Sequence, residues 1–144
     1  MLAGTFFISY FYHAEVYRFL LDQYYSRAYP DRSYMGRALK LYETGKYAEL
    51  KEFCEPLIFV YSGDNELKRL AGMNYIRLGE ELKGAELYAS AIDGETGGFD
   101  AAKVIKILYY NRSYGDLLAF YNRRILVDNM DMAYYYGVSL LMME

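Results

Sequence analysis

The chain of 144 residues has no Trp, one Cys, one His and two Pro. With Cys54 alone, no disulfide can close within the chain, and a thiolate zinc site lacks sulfur. Such a chain suits a reducing compartment, so an intracellular location, cytoplasmic or nuclear, is expected. His13 leaves a Ser-His-Asp or Cys-His arrangement one candidate base. The expectation is therefore no enzyme, no metal and no cofactor. Neither sign of charge dominates, with 16 basic and 19 acidic residues giving −3. The basic residues are also dispersed, so nothing electrostatic points to a nucleic acid partner. The uncharged N-terminal stretch MLAGTFFISYFY is too short to cross a bilayer, and no basic residue precedes Arg18 as in a secretory leader. No membrane partner is expected, and the sequon Asn111-Arg112-Ser113 then carries no weight.

What is present favours a packed helical domain. Hydrophobic residues make up 54% of the chain, enough for a core in one domain of ordinary size. Tyr occurs 19 times, giving large apolar bodies with polar tips. Leu67, Leu70, Ala71, Tyr75 and Leu78 recur at helical spacing, with Asn74 the misfit, and Ala101, Val104, Ile105 and Leu108 do the same. Asp64 or Asn65 and Asp100 stand where N-caps are wanted. Gly45, Gly79 and Gly94 stand where helices stop. FCEPLIFVY (53–61) reads as a strand by composition. The helical register on both sides predicts a helix through Pro56, bent near Glu52.

Little in the chain reads as chemistry. GETGGFD lacks the Gly-Lys-Ser/Thr ending of a phosphate loop and reads as a connection. Glu80 with Glu81, and Glu49 with Glu52, are paired carboxylates on expected turns and outer faces, where solvated charge is the ordinary meaning. Cys54 reads as a small buried hydrophobe. His13 aligns with Tyr47 and Tyr114, which implies packing at a helix junction.

That alignment belongs to a repeat. HAEVYRF (13–19) matches YAELKEF (47–53) at a shift of 34, and SYGDLLAFY (113–121) matches KYAELKEFC (46–54) at a shift of 67. In RLGEELKGAEL (77–87), Gly79 lies 34 after Gly45 and Gly84 takes the place of Leu50, as if two helices crossed closely there. With Ala38 or Gly72, Leu41 or Tyr75, Gly45 or Gly79, Tyr47 and Ala91, the pattern resembles the tetratricopeptide repeat family over nearly the whole chain. The resemblance implies an all-α solenoid of antiparallel helix pairs in a right-handed superhelix. Its units are about 1–32, 33–64, 65–98 and 99–130, with a half unit at 131–144. Helix pairs are expected at 1–28, 33–62, 65–92 and 100–127, and a lone helix from 131.

The resemblance further implies a non-enzymatic scaffold or adaptor whose concave face holds a peptide or helix of another protein. The lining residues would be Arg32, Met35, Leu39 and Tyr42, then Glu66, Arg69, Met73 and Ile76, then Phe99, Ala102, Lys106 and Tyr109. Arg69 and Lys106 would meet an acidic group. Met35 and Leu39 fall where a Lys-Asn-Lys-Arg carboxylate clamp would begin, so chaperone tails are not the expected ligand. Part of the stripe could instead be covered by the chain's own N-terminal helix. The apolar C-terminal helix, with Tyr136, Leu140 and Met143, would either continue into further chain or meet a second copy, giving a homodimer. A narrower alternative is a homodimerisation domain like those of the tetratricopeptide subunits of the anaphase-promoting complex. Alternatives of another class are a regulatory domain of an enzyme and a small-ligand sensor.

Overall fold

The computed structural model describes the backbone of residues 3–91, 99–123 and 130–143, and the side chains of 14–91, 101–122 and 133–143. Every regular element among them is helical. In order they are α1 (Ala3–Ala28), a 3-10 turn (Pro30–Arg32), α2 (Tyr34–Glu43), α3 (Tyr47–Val60), α4 (Asn65–Arg77), α5 (Glu81–Ser90), α6 (Phe99–Tyr110), α7 (Tyr114–Arg123) and α8 (Met130–Met143). The all-α expectation therefore holds for the described residues, including the helix through Pro56. Pro56 has no N–H to give the Glu52 carbonyl, yet Leu50, Cys54, Leu57 and Val60 keep one face of α3 in the interior.

The first expected helix pair is corrected: 1–28 does not hold a hairpin. α1 is one helix of 26 residues, roughly 39 Å at 1.5 Å per residue. The reason is local. Residues 5–29 contain neither Gly nor Pro, so nothing in them turns the chain. Three hairpins follow, α2–α3, α4–α5 and α6–α7, and α8 stands after them.

The three hairpins turn in the same way. Gly45 accepts a positive φ of 71° and Gly79 one of 85°. Around them the Gly45 N–H bonds the Tyr42 carbonyl and the Lys46 N–H reaches the Leu41 carbonyl. The Gly79 and Glu80 N–H groups bond Ile76 and Tyr75 in the same pattern. This is the Schellman stop, which satisfies the last carbonyls of the first helix. The third turn repeats both bonds, from Arg112 to Tyr109 and from Ser113 to Leu108. Its left-handed residue is Arg112 at φ 60°, in place of glycine. Asp64 is the N-cap of α4 and accepts from the Leu67 N–H at 3.1 Å. Asp100 lies one residue inside α6, which begins at Phe99, so it is not the cap expected of it. Gly94 and the rest of GETGG lie outside the described residues.

Two clusters fill the interior. One joins Tyr34, Met35, Ala38, Leu50, Cys54, Leu57, Leu67 and Ala71 from α2, α3 and α4. The other gathers Ile76 of α4 with residues of α5, α6 and α7, down to Phe120. α4 serves both, and it meets α5 at a backbone-to-backbone approach between Gly72 and Gly84. A Cβ on Gly84 would lie 2.5 Å from the Gly72 carbonyl oxygen. The small residue expected at 84 is thus a close crossing. Asn74, the expected misfit, is buried, and it donates from Nδ2 to the Tyr47 carbonyl at 2.9 Å. Leu78 is instead exposed, because it forms the C-cap beyond the last turn. Among the described residues, substantial packing runs only between helices one or two places apart in the chain.

Candidate functional site

The expected lining residues divide into three groups. Met35 and Ile76 belong to the two cores, 8% and 4% exposed, so they are interior packing and not partner contacts. Tyr42 and Met73 are half-buried, Met73 against the second core and Tyr42 against the Tyr47 ring at 5.7 Å. Leu39, Arg32 and Lys106 are exposed. Glu66 is exposed, Ala102 half-buried, and the side chain of Phe99 lies outside the described residues.

Arg32 and Arg69 share an open cleft of about 790 Å³, walled by Tyr29, Tyr34, Tyr61, Asp31 and Asp64 among others. The cleft is organised by Asp64. Its carboxylate caps α4 and accepts the Tyr34 hydroxyl at 2.6 Å and the Arg32 guanidinium at 2.8 Å. Burial would raise the Asp64 pKa, but the Tyr34 hydroxyl, the Leu67 amide and Arg32 together hold it below the usual carboxylate value. Tyr34 moves the other way, pushed up to about 12 by burial and then by its bond to the carboxylate. Asp31 and Arg32 both sit in the left-handed region, at φ 54° and 60°, a costly pair for residues with a Cβ. Three carboxylates (Asp31, Asp64, Glu66) face two guanidiniums in this cleft, so it is not a basic site. The acidic group expected opposite Arg69 gains no help from its surroundings.

The paired carboxylates do structural work. Lys51 of α3 meets Glu80 at 2.5 Å, and Lys83 of α5 lies within reach of both Glu80 and Glu55. The Tyr75 hydroxyl of α4 donates to Glu55 at 2.9 Å, with Lys83 4.0 Å above its ring. This network straps three helices at one rim. Lys51 in particular holds Glu80 below the usual carboxylate value. Glu49 pairs with Lys46 at 2.9 Å, while Glu52 and Glu81 are exposed.

A different surface lies where α6 meets α8. Tyr109 and Tyr135 pack at 4.8 Å between ring centroids, and Tyr110 and Tyr134 lean edge-on against Tyr135. Tyr110 and Tyr134 are 72% and 62% exposed. Lys106 lies one turn before Tyr110, and Lys103 shares that side of the helix. Among the described residues neither lysine meets a carboxylate. Tyr109 was legible in the sequence; Tyr110, Tyr134 and Lys103 were not, because only the α6–α8 contact brings them together. Of the expected self-association residues, Tyr136 is half-buried, stacked at 4.2 Å on Tyr121 and donating its hydroxyl to Asn122 Oδ1 at 3.1 Å. Leu140 and Met143 are exposed, as are Leu141 and Met142 between them.

Cys54 is 1% exposed, and burial pushes its thiol up to about 12, as suits a small apolar filler. The His13 side chain lies outside the described residues. No helix among the described residues is long and apolar enough to cross a membrane. Comparison with known proteins adds nothing to this geometry, since no family model, curated protein or solved structure matches the chain.

Proposed function

We propose that this chain is a non-enzymatic scaffold of the tetratricopeptide kind, which holds a peptide or helix of another protein along the faces of its first helices. The observation that carries the reading is the recurrence of one hairpin stop at 45, 79 and 112, with the same two backbone bonds each time. Among the described residues the substantial packing is between near neighbours in the chain, which supports it too, because stacked repeats touch only those beside them. On this reading the exposed Leu39, Arg69 with the half-buried Met73, and Lys106 with Tyr109 present contacts on α2, α4 and α6 in turn. Tyr and Met suit this use, since they give broad apolar contact at modest entropic cost.

The test is to pan a random peptide library on the purified chain. Selected peptides are then titrated against the double variant Arg69→Glu/Lys106→Glu. Affinity should fall by about tenfold, a loss of roughly 1.4 kcal/mol. Affinity that does not change rejects the assignment of this face.

Self-association is a second reading with its own observation. The last turn of α8 exposes Leu140, Leu141, Met142 and Met143, so its whole circumference is apolar and uncovered. Such a turn is stable in water only when something packs on it. Sedimentation of Leu140→Glu/Met143→Glu should show a weaker dimer than the parent chain. A dimer of equal strength would contradict this reading.

A further inference from the structure

The net charge of −3 conceals an uneven distribution. Residues 99–130 carry five basic residues (Lys103, Lys106, Arg112, Arg123, Arg124) against three acidic ones (Asp100, Asp116, Asp128), a balance of +2. Residues 65–98 carry four basic and six acidic ones, a balance of −2, and 33–64 carry four and five. Residues 99–130 are therefore the one basic stretch of the five units; α6 itself holds Lys103 and Lys106 against Asp100, and 131–144 carry Asp131 and Glu144 with no basic residue. Asp116, one of its carboxylates, is already engaged by the Ser113 hydroxyl at 2.8 Å.

The two lysines of α6 lie beside an exposed aromatic patch, Tyr110 and Tyr134. Lys103, Lys106 and Tyr110 occupy one side of α6, and Tyr134 flanks them from α8 through Tyr135. Tyr110 is more exposed than any other large hydrophobic side chain among the described residues. The patch is also pre-ordered. Tyr110 and Tyr134 lean on Tyr135, itself held by Tyr109, so a ligand immobilises few free rotors on binding. Aromatic anchors flanked by cations are a hot-spot arrangement, and the two lysines choose the sign of the partner.

From this juxtaposition we propose that the α6–α8 face, built from Lys103, Lys106, Tyr110 and Tyr134, docks an acidic peptide segment that carries aromatic or aliphatic anchors. The anchors lie across the tyrosine rings while carboxylates meet the two lysines. This rests on the scaffold reading and narrows it. It assigns the acidic ligand to α6 and α8, and removes it from the Arg69 cleft, where carboxylates outnumber guanidiniums.

The probes are a short fluorescent peptide of Glu, Phe and Leu, its counterpart with Lys for Glu, and a labelled single-stranded oligothymidine, each followed by anisotropy. The acidic peptide should bind, weaken as salt rises, and lose about tenfold in affinity with Lys103→Glu/Lys106→Glu. Tyr110→Ala should weaken it comparably at every salt concentration, since the ring contact is not ionic. Lys106 and Tyr110 are exposed and Lys103 is half-buried, and matching circular dichroism melts will show that the variants fold. Equal binding of the basic peptide, preferential binding of the oligothymidine, or indifference to both variants would each overturn the proposal. If library peptides bind through Arg69 while the acidic probe does not, this proposal fails and the scaffold reading stands. If no peptide of either kind binds, both fail.

Discussion

Replacing Gly84 by Ala tests the α4–α5 crossing on which both interior clusters depend. Built on the present backbone, the new Cβ would lie 2.5 Å from the Gly72 carbonyl oxygen and 2.8 Å from both the Ile76 amide nitrogen and Cγ1. Two of those three atoms are backbone, so a side-chain rotation cannot clear them. The helices must separate by something under an ångström, loosening Ile76 against its cluster and Ala71 against the other. Overpacking of this kind costs about 1–3 kcal/mol, and more when backbone must move. Opposing it is the helix propensity of Ala over Gly, about 1 kcal/mol. The net expectation is a loss of about 2 kcal/mol, which for a chain of this size lowers Tm by roughly 6–8 °C. Gly72→Ala should behave alike, since its Cβ would meet the Gly84 oxygen at 2.7 Å and the Tyr88 nitrogen at 2.9 Å. The double variant should cost less than the two losses combined, because one widening relieves both clashes. Gly36→Ala is the control: it is helical, with nothing within 4 Å of the new Cβ, so it should gain up to about 1 kcal/mol. Urea unfolding followed by circular dichroism at 222 nm measures all four. If Gly84→Ala is stabilised like Gly36→Ala, the two helices do not touch at this point and the reasoning is wrong.

Arg112→Gly should stabilise the third hairpin by about 1 kcal/mol, because it removes a Cβ from a left-handed position; Gly79→Ala should lose about that much, and melting temperatures will rank them. Asp64→Ala should cost about 2–3 kcal/mol in urea unfolding, through the lost cap and the stranded, buried Tyr34 hydroxyl. The native carboxyl titrates below its unfolded value, so its stabilisation is complete above about pH 5 and is lost as pH falls through the native pKa. For Tyr34, raised to about 12, the stabilisation is complete below about pH 10 and disappears as pH rises through 12. Asp64→Asn should flatten the acid limb of the stability profile while keeping most of the cap. Cys54 should resist a thiol reagent at pH 8 until α3 opens, so that labelling follows unfolding; rapid labelling of the native chain would contradict its burial.

The sequence made the helices legible because their signals are local. Leu50, Cys54 and Leu57 share one face of α3, and Gly45 and Gly79 mark the turns. Gly84 could also be read, since the repeat offset set it against a Leu. The α1 hairpin was a misreading by analogy: HAEVYRF resembles the start of a second helix, but a turn needs a breaker and none lies in 5–29. The third turn was hidden by the reverse effect, since Arg112 adopts the glycine conformation without the glycine. At the surface the reading was weakest. Met35 and Ile76 have suitable side chains and the expected register, yet each packs into one of the two interior clusters. Tyr110 and Tyr134 are 24 positions apart and enter one patch only through Tyr135, a tertiary fact with no trace in spacing.

The left-handed residues follow a common logic. Gly45 and Gly79 adopt the conformation freely, whereas Arg112, Asp31 and Arg32 do so against their own Cβ atoms. Each costly case is over-determined by bonds around it. At Arg112 two backbone hydrogen bonds fix the turn from both sides of the residue. At Asp31–Arg32 the Ser33 N–H returns to the Pro30 carbonyl, and the Arg32 guanidinium is drawn to Asp64, 32 residues away on the cap of α4. The first join therefore couples α1 to the second hairpin through one carboxylate that also starts α4 and holds Tyr34. The other turns are closed by backbone bonds within their own hairpins and are also tied beyond them, Glu80 to Lys51 of α3 and Ser113 to Glu86 of α5. At the α1 join a change in a ligand at the cleft would be felt by α1, α2 and α4 together, and two of the left-handed residues, Asp31 and Arg32, stand in the wall of that cleft.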